Sequence, residues 1–129
     1  MLWNFWNAWK IRKGIKKPII FIENAGGCIC TKSIFNGKTP IKWCFRVKSV
    51  APEDNGWRFI GKSDSESYIN IAENNVFLDF NTLANVDPSI LMLYNMPVGT
   101  DLYIVKDKGK IRFFKTGTKE EIEIDYRSL

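Results

Sequence analysis

Ile41-Lys-Trp-Cys-Phe-Arg-Val-Lys48 alternates apolar and polar side chains, and its reading decides the fold. A period of two belongs to a strand with one buried face. Taken at face value, it turns Ile41, Trp43, Phe45 and Val47 inward and Lys42, Cys44, Arg46 and Lys48 outward. On the N-terminal side, Asn36-Gly37 marks a tight turn and Pro40 precedes the strand. Further back, Pro18 to Glu23 is a short β-favouring run, Asn24-Ala-Gly-Gly27 a turn, and Cys28 to Lys32 resumes extended chain. On the C-terminal side, Ala51 to Gly56 is a loop. Trp57 to Ile60 is strand-like, with Trp57 and Phe59 on one face and Arg58 and Ile60 on the other.

Beyond a polar connection at Ser63 to Ser67 and a turn at Asn74-Asn75, Val76 to Phe80 forms another short strand. Asn81 to Val86 is expected as a single helical turn capped by Asn81. Asp87-Pro88 fits an N-cap followed by proline at the first helical position. Ile90, Leu91, Leu93 and Tyr94 give that helix an apolar side, and Pro97 with Gly99 ends it. Leu102 to Val105 and Lys110 to Lys115 make a hairpin about Asp107-Lys-Gly109, and Glu120 to Asp125 suits an edge strand. The expected fold is a small single α+β domain over residues 18–129. It is mainly antiparallel sheet, with one or two short helices around residues 81–95 and an N-terminal helix as a further candidate.

Composition bounds the function. At 129 residues and 45% hydrophobic, the chain can bury a real core as one domain. It has no histidine, which excludes Ser-His-Asp and Cys-His catalysis within the chain and any imidazole-based zinc site. Its net charge of +5 is unevenly placed. Residues 1–18 carry Lys10, Arg12, Lys13, Lys16 and Lys17 with no acid, so the rest is neutral, and residues 49–101 are acidic. A nucleic-acid-binding domain gathers its basic residues on the fold itself, so the charge does not argue for nucleic acid.

Three cysteines, Cys28, Cys30 and Cys44, make too small and odd a set for a disulfide-framed domain. Cys28 and Cys30 lie two apart on a strand and read as small core side chains. They lack both the spacing and the further ligands of a metal site, and no metal or cofactor is expected. The leader, residues 1–17, is not a signal peptide, because its charges follow its apolar residues and no cleavage site is present. Trp3, Trp6 and Trp9, with Lys10 and then Arg12 and Lys13, suit a helix packed on the domain. The second reading is an interfacial membrane contact, with Trp at headgroup depth and cations on anionic lipid.

Ordered blocks from Gly26 to about Val105 carry a family resemblance. They are Gly26-Gly27-Cys28; Gly56-Trp57-Arg58-Phe59 with Gly61; Glu66 and Tyr68; Asn81-Thr-Leu-Ala-Asn85 followed by Asp87-Pro88 and Ile90; and Pro97-Val-Gly99. In order and spacing this region resembles the bacterial immunity protein thirty-three family of polymorphic toxin systems. The resemblance implies a small cytoplasmic protein, also able to sit at the inner membrane face, that binds a cognate toxin without catalysis. Asp54, Arg58, Asp64, Glu66 and Glu73 are the candidate contacts, since loop carboxylates would be steered to the basic cleft of a nuclease toxin. An ordinary solvated loop set is the competing reading. Structural roles rank first for Gly56, Trp57, Phe59, Tyr68, Asn81, Asn85, Asp87 and Pro88, as turn, core and cap residues. An enzyme working without histidine ranks last.

The membrane alternative has a direct check in liposome flotation. It requires the full chain to float with anionic vesicles and a version starting at Lys17 to stay behind; equal flotation of the two ends it.

Overall fold

A computed structural model describes residues 19–124. A seven-stranded sheet organises them: β1 (Gly27–Thr31), β2 (Ile41–Arg46), β3 (Asp54–Gly61), β4 (Asn75–Asp79), β5 (Asp101–Asp107), β6 (Lys110–Lys115) and β7 (Glu121–Ile122). Their order across the sheet is β4-β1-β3-β2-β5-β6-β7. Every neighbouring pair is antiparallel except β1 and β3, so the fold is the expected small α+β domain. Three short helical turns, α1 (Lys32–Phe35), α2 (Glu66–Ile69) and α3 (Phe80–Val86), and a 3₁₀ segment over Pro88–Leu93 complete it, with one more 3₁₀ turn at Ala72–Asn74.

One face of the sheet carries the core. Cys28, Cys30, Trp57, Phe59, Leu78, Leu102, Ile104 and Phe113 point to it. Ile34 and Phe35 of α1, Phe80, Leu83 and Ala84 of α3, and Ile90 and Leu93 of the 3₁₀ segment close over it. Trp57 and Phe59 fill the centre as expected; their rings stack with centroids 6.1 Å apart, and Phe59 leans on Phe80 at 6.3 Å. The β5–β6 hairpin also forms as expected, with Asp107 opposite Lys110, and β7 is its short edge.

Strand β2 corrects the opening expectation. Cys44 is fully buried, whereas Trp43 and Phe45 are only half-buried and Val47 lies beyond the strand, exposed. The cause is a bulge: Ile41 stands opposite Gly61 but Trp43 opposite Ile60, so β2 advances two residues for one on β3. The extra residue flips the pleat between Ile41 and Trp43. Ile41 and Cys44 therefore face the core, with Cys44 directly between Phe59 and Leu102. Arg46 follows them; its guanidinium lies over the Trp57 ring at 5.7 Å and donates to the Met96 carbonyl at 2.7 Å.

Two further expectations change. Residues 19–23 form no strand, because their backbone groups pair with side chains of α3 instead of a neighbouring strand. Helix α3 is capped two residues early: Asp79 is its cap, accepting from the Asn81 N–H at 3.1 Å, and Asn81 lies inside the helix. The Asp87 cap does form. Its Oδ1 accepts from the Ser89 N–H, with Pro88 in the first turn of the 3₁₀ segment.

Gly56 is required where β3 begins. Its φ is +90°, and a Cβ there would stand 2.1 Å from the Val47 carbonyl oxygen. Gly56→Ala should destabilise by more than the roughly 1–3 kcal/mol of a left-handed non-glycine residue alone, because backbone must also move. Urea denaturation of the variant checks this; a loss below about 1 kcal/mol contradicts the geometry.

Candidate functional site

The first half of β3 is the most heavily bonded polar site among the described residues. Asp54 is buried, and its two carboxylate oxygens accept from Arg58 Nη1 at 2.9 Å and Nη2 at 2.8 Å. They also accept from the Val50 N–H at 3.0 Å and the Gly56 N–H at 2.8 Å. Burial alone would raise the Asp54 carboxyl. The Arg58 hydrogen bonds, the two backbone donors and the Arg58 charge outweigh it and hold the group at about 2. Arg58 therefore pairs with Asp54 four residues back. Both side chains serve the fold.

Asp64 is also engaged. It closes the turn after β3 by accepting from the Gly61 N–H at 2.7 Å, from Thr31 Oγ1 at 2.6 Å and from Ser33 Oγ, tying β3 to the start of α1. Glu66 and Glu73 are the two candidate acids left exposed, on the connection that runs through α2. Tyr68 sits in the same connection, half-buried, its N–H accepted by the Ser65 cap at 3.1 Å. The acidic residues named from the sequence are thus divided between those bonded within the fold, Asp54 and Asp64, and those left exposed, Glu66 and Glu73.

Asn81 and Asn85 stand one helical turn apart and act as a pair. Asn81 Oδ1 accepts from the Phe21 and Ile22 N–H groups at 2.9 and 3.0 Å, and its amide donates to the Ile22 carbonyl at 2.9 Å. Asn85 does the same for Ile19, both ways at 3.0 Å. The pair replaces a neighbouring strand and straps residues 19–22 along α3. An asparagine presents a donor and an acceptor like a peptide group, which is why this residue type suits both positions.

Burial pushes all three thiols up. Cys28 and Cys30 rise well above the ordinary range and Cys44 to about 12, with neighbouring carboxylates adding to the effect. At neutral pH they are protonated core side chains and poor nucleophiles. Trp3, Trp6, Trp9, Lys10, Arg12 and Lys13 lie outside the described residues.

The second face of the sheet is where sequence reading fell short. Directly opposed residues share a face, so two rows run across it. One is Phe77-Ile29-Arg58-Phe45-Asp101; the other is Ile60-Trp43-Tyr103-Phe114-Glu121. The apolar members are all half-buried, and none belongs to the core cluster. Tyr103 and Phe114 stack with centroids 5.3 Å apart, Lys42 Nζ lies 5.1 Å from the Tyr103 centroid, and the Arg112 guanidinium 5.2 Å from that of Phe114. A cleft of about 580 Å³ opens there between Lys42, Trp43, Tyr103 and the turn Gly117–Lys119. The signal was present in Phe113-Phe114: consecutive strand residues point oppositely, so two adjacent phenylalanines place one ring on each face. A larger concavity, about 700 Å³, lies under the β5–β6 turn beside Met92, and the Arg112–Glu121 ion pair borders it.

A family model described as the Immunity protein Imm33 domain matches residues 28–115. That span holds β2 to β6 and all of β1 but Gly27, with the Asp54–Arg58 pair and the two asparagines. The chain belongs to this immunity protein family. No curated protein and no solved structure gives a significant match.

The buried pair makes a stability prediction. Arg58→Ala leaves the Asp54 charge enclosed and should cost about 3–5 kcal/mol. A carboxyl held below its unfolded value stabilises the fold fully above pH 4 or so, and that share is lost as pH falls through about 2. The gap between the wild type and Asp54→Asn, read by urea denaturation, should therefore shrink between about pH 4 and pH 2. A gap independent of pH contradicts the pairing.

Proposed function

We propose that the protein is the antidote to a cognate bacterial toxin: it binds the toxin domain and neutralises it by contact, without catalysis, in the cytoplasm of the cell that makes both. The observation that carries this reading is the family match over residues 28–115. The side-chain chemistry is in keeping with it. The thiols are protonated and enclosed, and the Asp54–Arg58 pair is occupied with itself. Among the described residues, no helix is long and apolar enough to cross a membrane.

Binding and catalysis differ in stoichiometry, and that gives the test. The partner gene is sought beside the reading frame of this chain and co-expressed with it, which should restore growth. Purified toxin activity should then fall linearly with added protein and reach zero near one equivalent, with both chains eluting together. Complete inactivation at a few hundredths of an equivalent would instead mark an enzyme acting on the toxin.

A further inference from the structure

We infer that the second face of the sheet, centred on the cleft between Trp43 and Tyr103, is the surface that docks the toxin. The toxin segment it takes presents an apolar side chain flanked by carboxylates. The inference rests on the proposed antidote function and adds to it the surface and the chemistry of the partner.

Three observations carry it. First, this face is apolar where a sheet facing only water would be polar. Its two rows hold four aromatic rings on adjacent strands of the central sheet, Phe45, Trp43, Tyr103 and Phe114, half-buried and outside the core cluster. Trp and Tyr on a rigid strand are the side chains that most often anchor a protein partner. Second, the cleft has a fixed floor: the Tyr103 hydroxyl donates to the Thr118 carbonyl at 2.8 Å, holding the ring against the turn. Third, Lys42 and Lys119 stand on its walls, and neither takes part in an ion pair among the described residues. Lys42 donates only to the Ile104 carbonyl, at 3.2 Å. Two cations without acids beside an aromatic floor call for carboxylates from outside.

The same observations select among occupants. A second copy of the chain docked about a two-fold axis through the cleft would bring Lys42 and Lys119 against the same lysines. The leader is itself cationic and brings no carboxylate for Lys42 and Lys119. A nucleic-acid strand would meet the exposed carboxylate of Asp101, which shares a row with the aromatics. A protein surface of mixed charge accommodates all of these.

The test measures association and dissociation of the cognate toxin domain with four full-length proteins, each first shown by circular dichroism to melt like a folded chain. Lys42→Glu with Lys119→Glu should weaken binding at least tenfold, chiefly by slower association, with less dependence on salt. Trp43→Ala should weaken it at least tenfold through faster dissociation. Lys42→Gln with Lys119→Gln, which keeps much of the side-chain stems, should fall between these and the wild type. Glu66→Lys with Glu73→Lys, on the α2 connection, should stay within twofold of wild type. The docking assignment is overturned if the Glu66/Glu73 variant loses binding while the cleft variants keep it; the antidote reading would then stand. A wild-type chain that neither binds nor protects removes the antidote reading itself. A single-stranded oligonucleotide is titrated in parallel by fluorescence anisotropy. Lysine-dependent binding there, with toxin binding unchanged in the cleft variants, also overturns the assignment.

Discussion

The enclosed carboxylate of Asp54 is the constraint on which the arrangement of this sheet depends. Within four residues, Glu53 to Gly56, the chain accepts from Gly27 at 2.6 Å, binds Arg58 twice, donates from Asn55 to the Ala25 carbonyl and receives Arg46 on the Asn55 carbonyl. Those contacts reach β1, β2 and β3 at one end of all three. They sit where β3 turns parallel to β1, the one parallel pairing in the sheet. A charge removed from water is tolerated only when every lone pair is answered, and here two backbone N–H groups and a forked guanidinium answer it. The register of the central strands follows from that demand.

Much of this fold was legible because local chemistry and tertiary position agreed. The β5–β6 hairpin rests on a two-residue turn, Lys108 and Gly109, in which Gly109 tolerates its positive φ, and on alternation that the structure keeps. Trp57 and Phe59 went to the core, and Cys28 with Cys30 shared its face. Asp87-Pro88 capped and opened the 3₁₀ segment it announced. Where the expectation failed, a non-local partner had intervened. The phase of β2 was inverted by a bulge against β3, and nothing in eight alternating residues signals an extra residue in the pairing. Asn81 carried every mark of a cap, yet its amide is directed at residues about sixty positions away.

The candidate site was less legible for a related reason. Sequence charge identifies acids but not their partners, so Asp54 and Asp64 counted toward a surface that the fold consumes. The aromatic face was hidden by the opposite error. The alternation turned Trp43 and Phe45 inward, and the bulge against β3 places them on the face that the helices of the described residues do not cover. The family match does not bear on this division, because residues 28–115 include the internal bonds and the second face alike.

The asparagine strap also sets an order in time. Ile19 and Ile22 are held by side chains that lie about sixty residues further along the chain. Synthesis at roughly 5–20 residues per second puts several seconds between the two ends of each bond. For most of that interval β1 also lacks β4, its antiparallel neighbour, and until residues 54–61 are made it lacks β3, its parallel one. The first of the described residues are thus among the last to be fixed, and a ribosome must pass α3 before residues 19–22 meet their partners. Long-range closure of this kind slows folding. The interval between translation and a finished sheet therefore belongs to the working properties of this protein as much as its shape does.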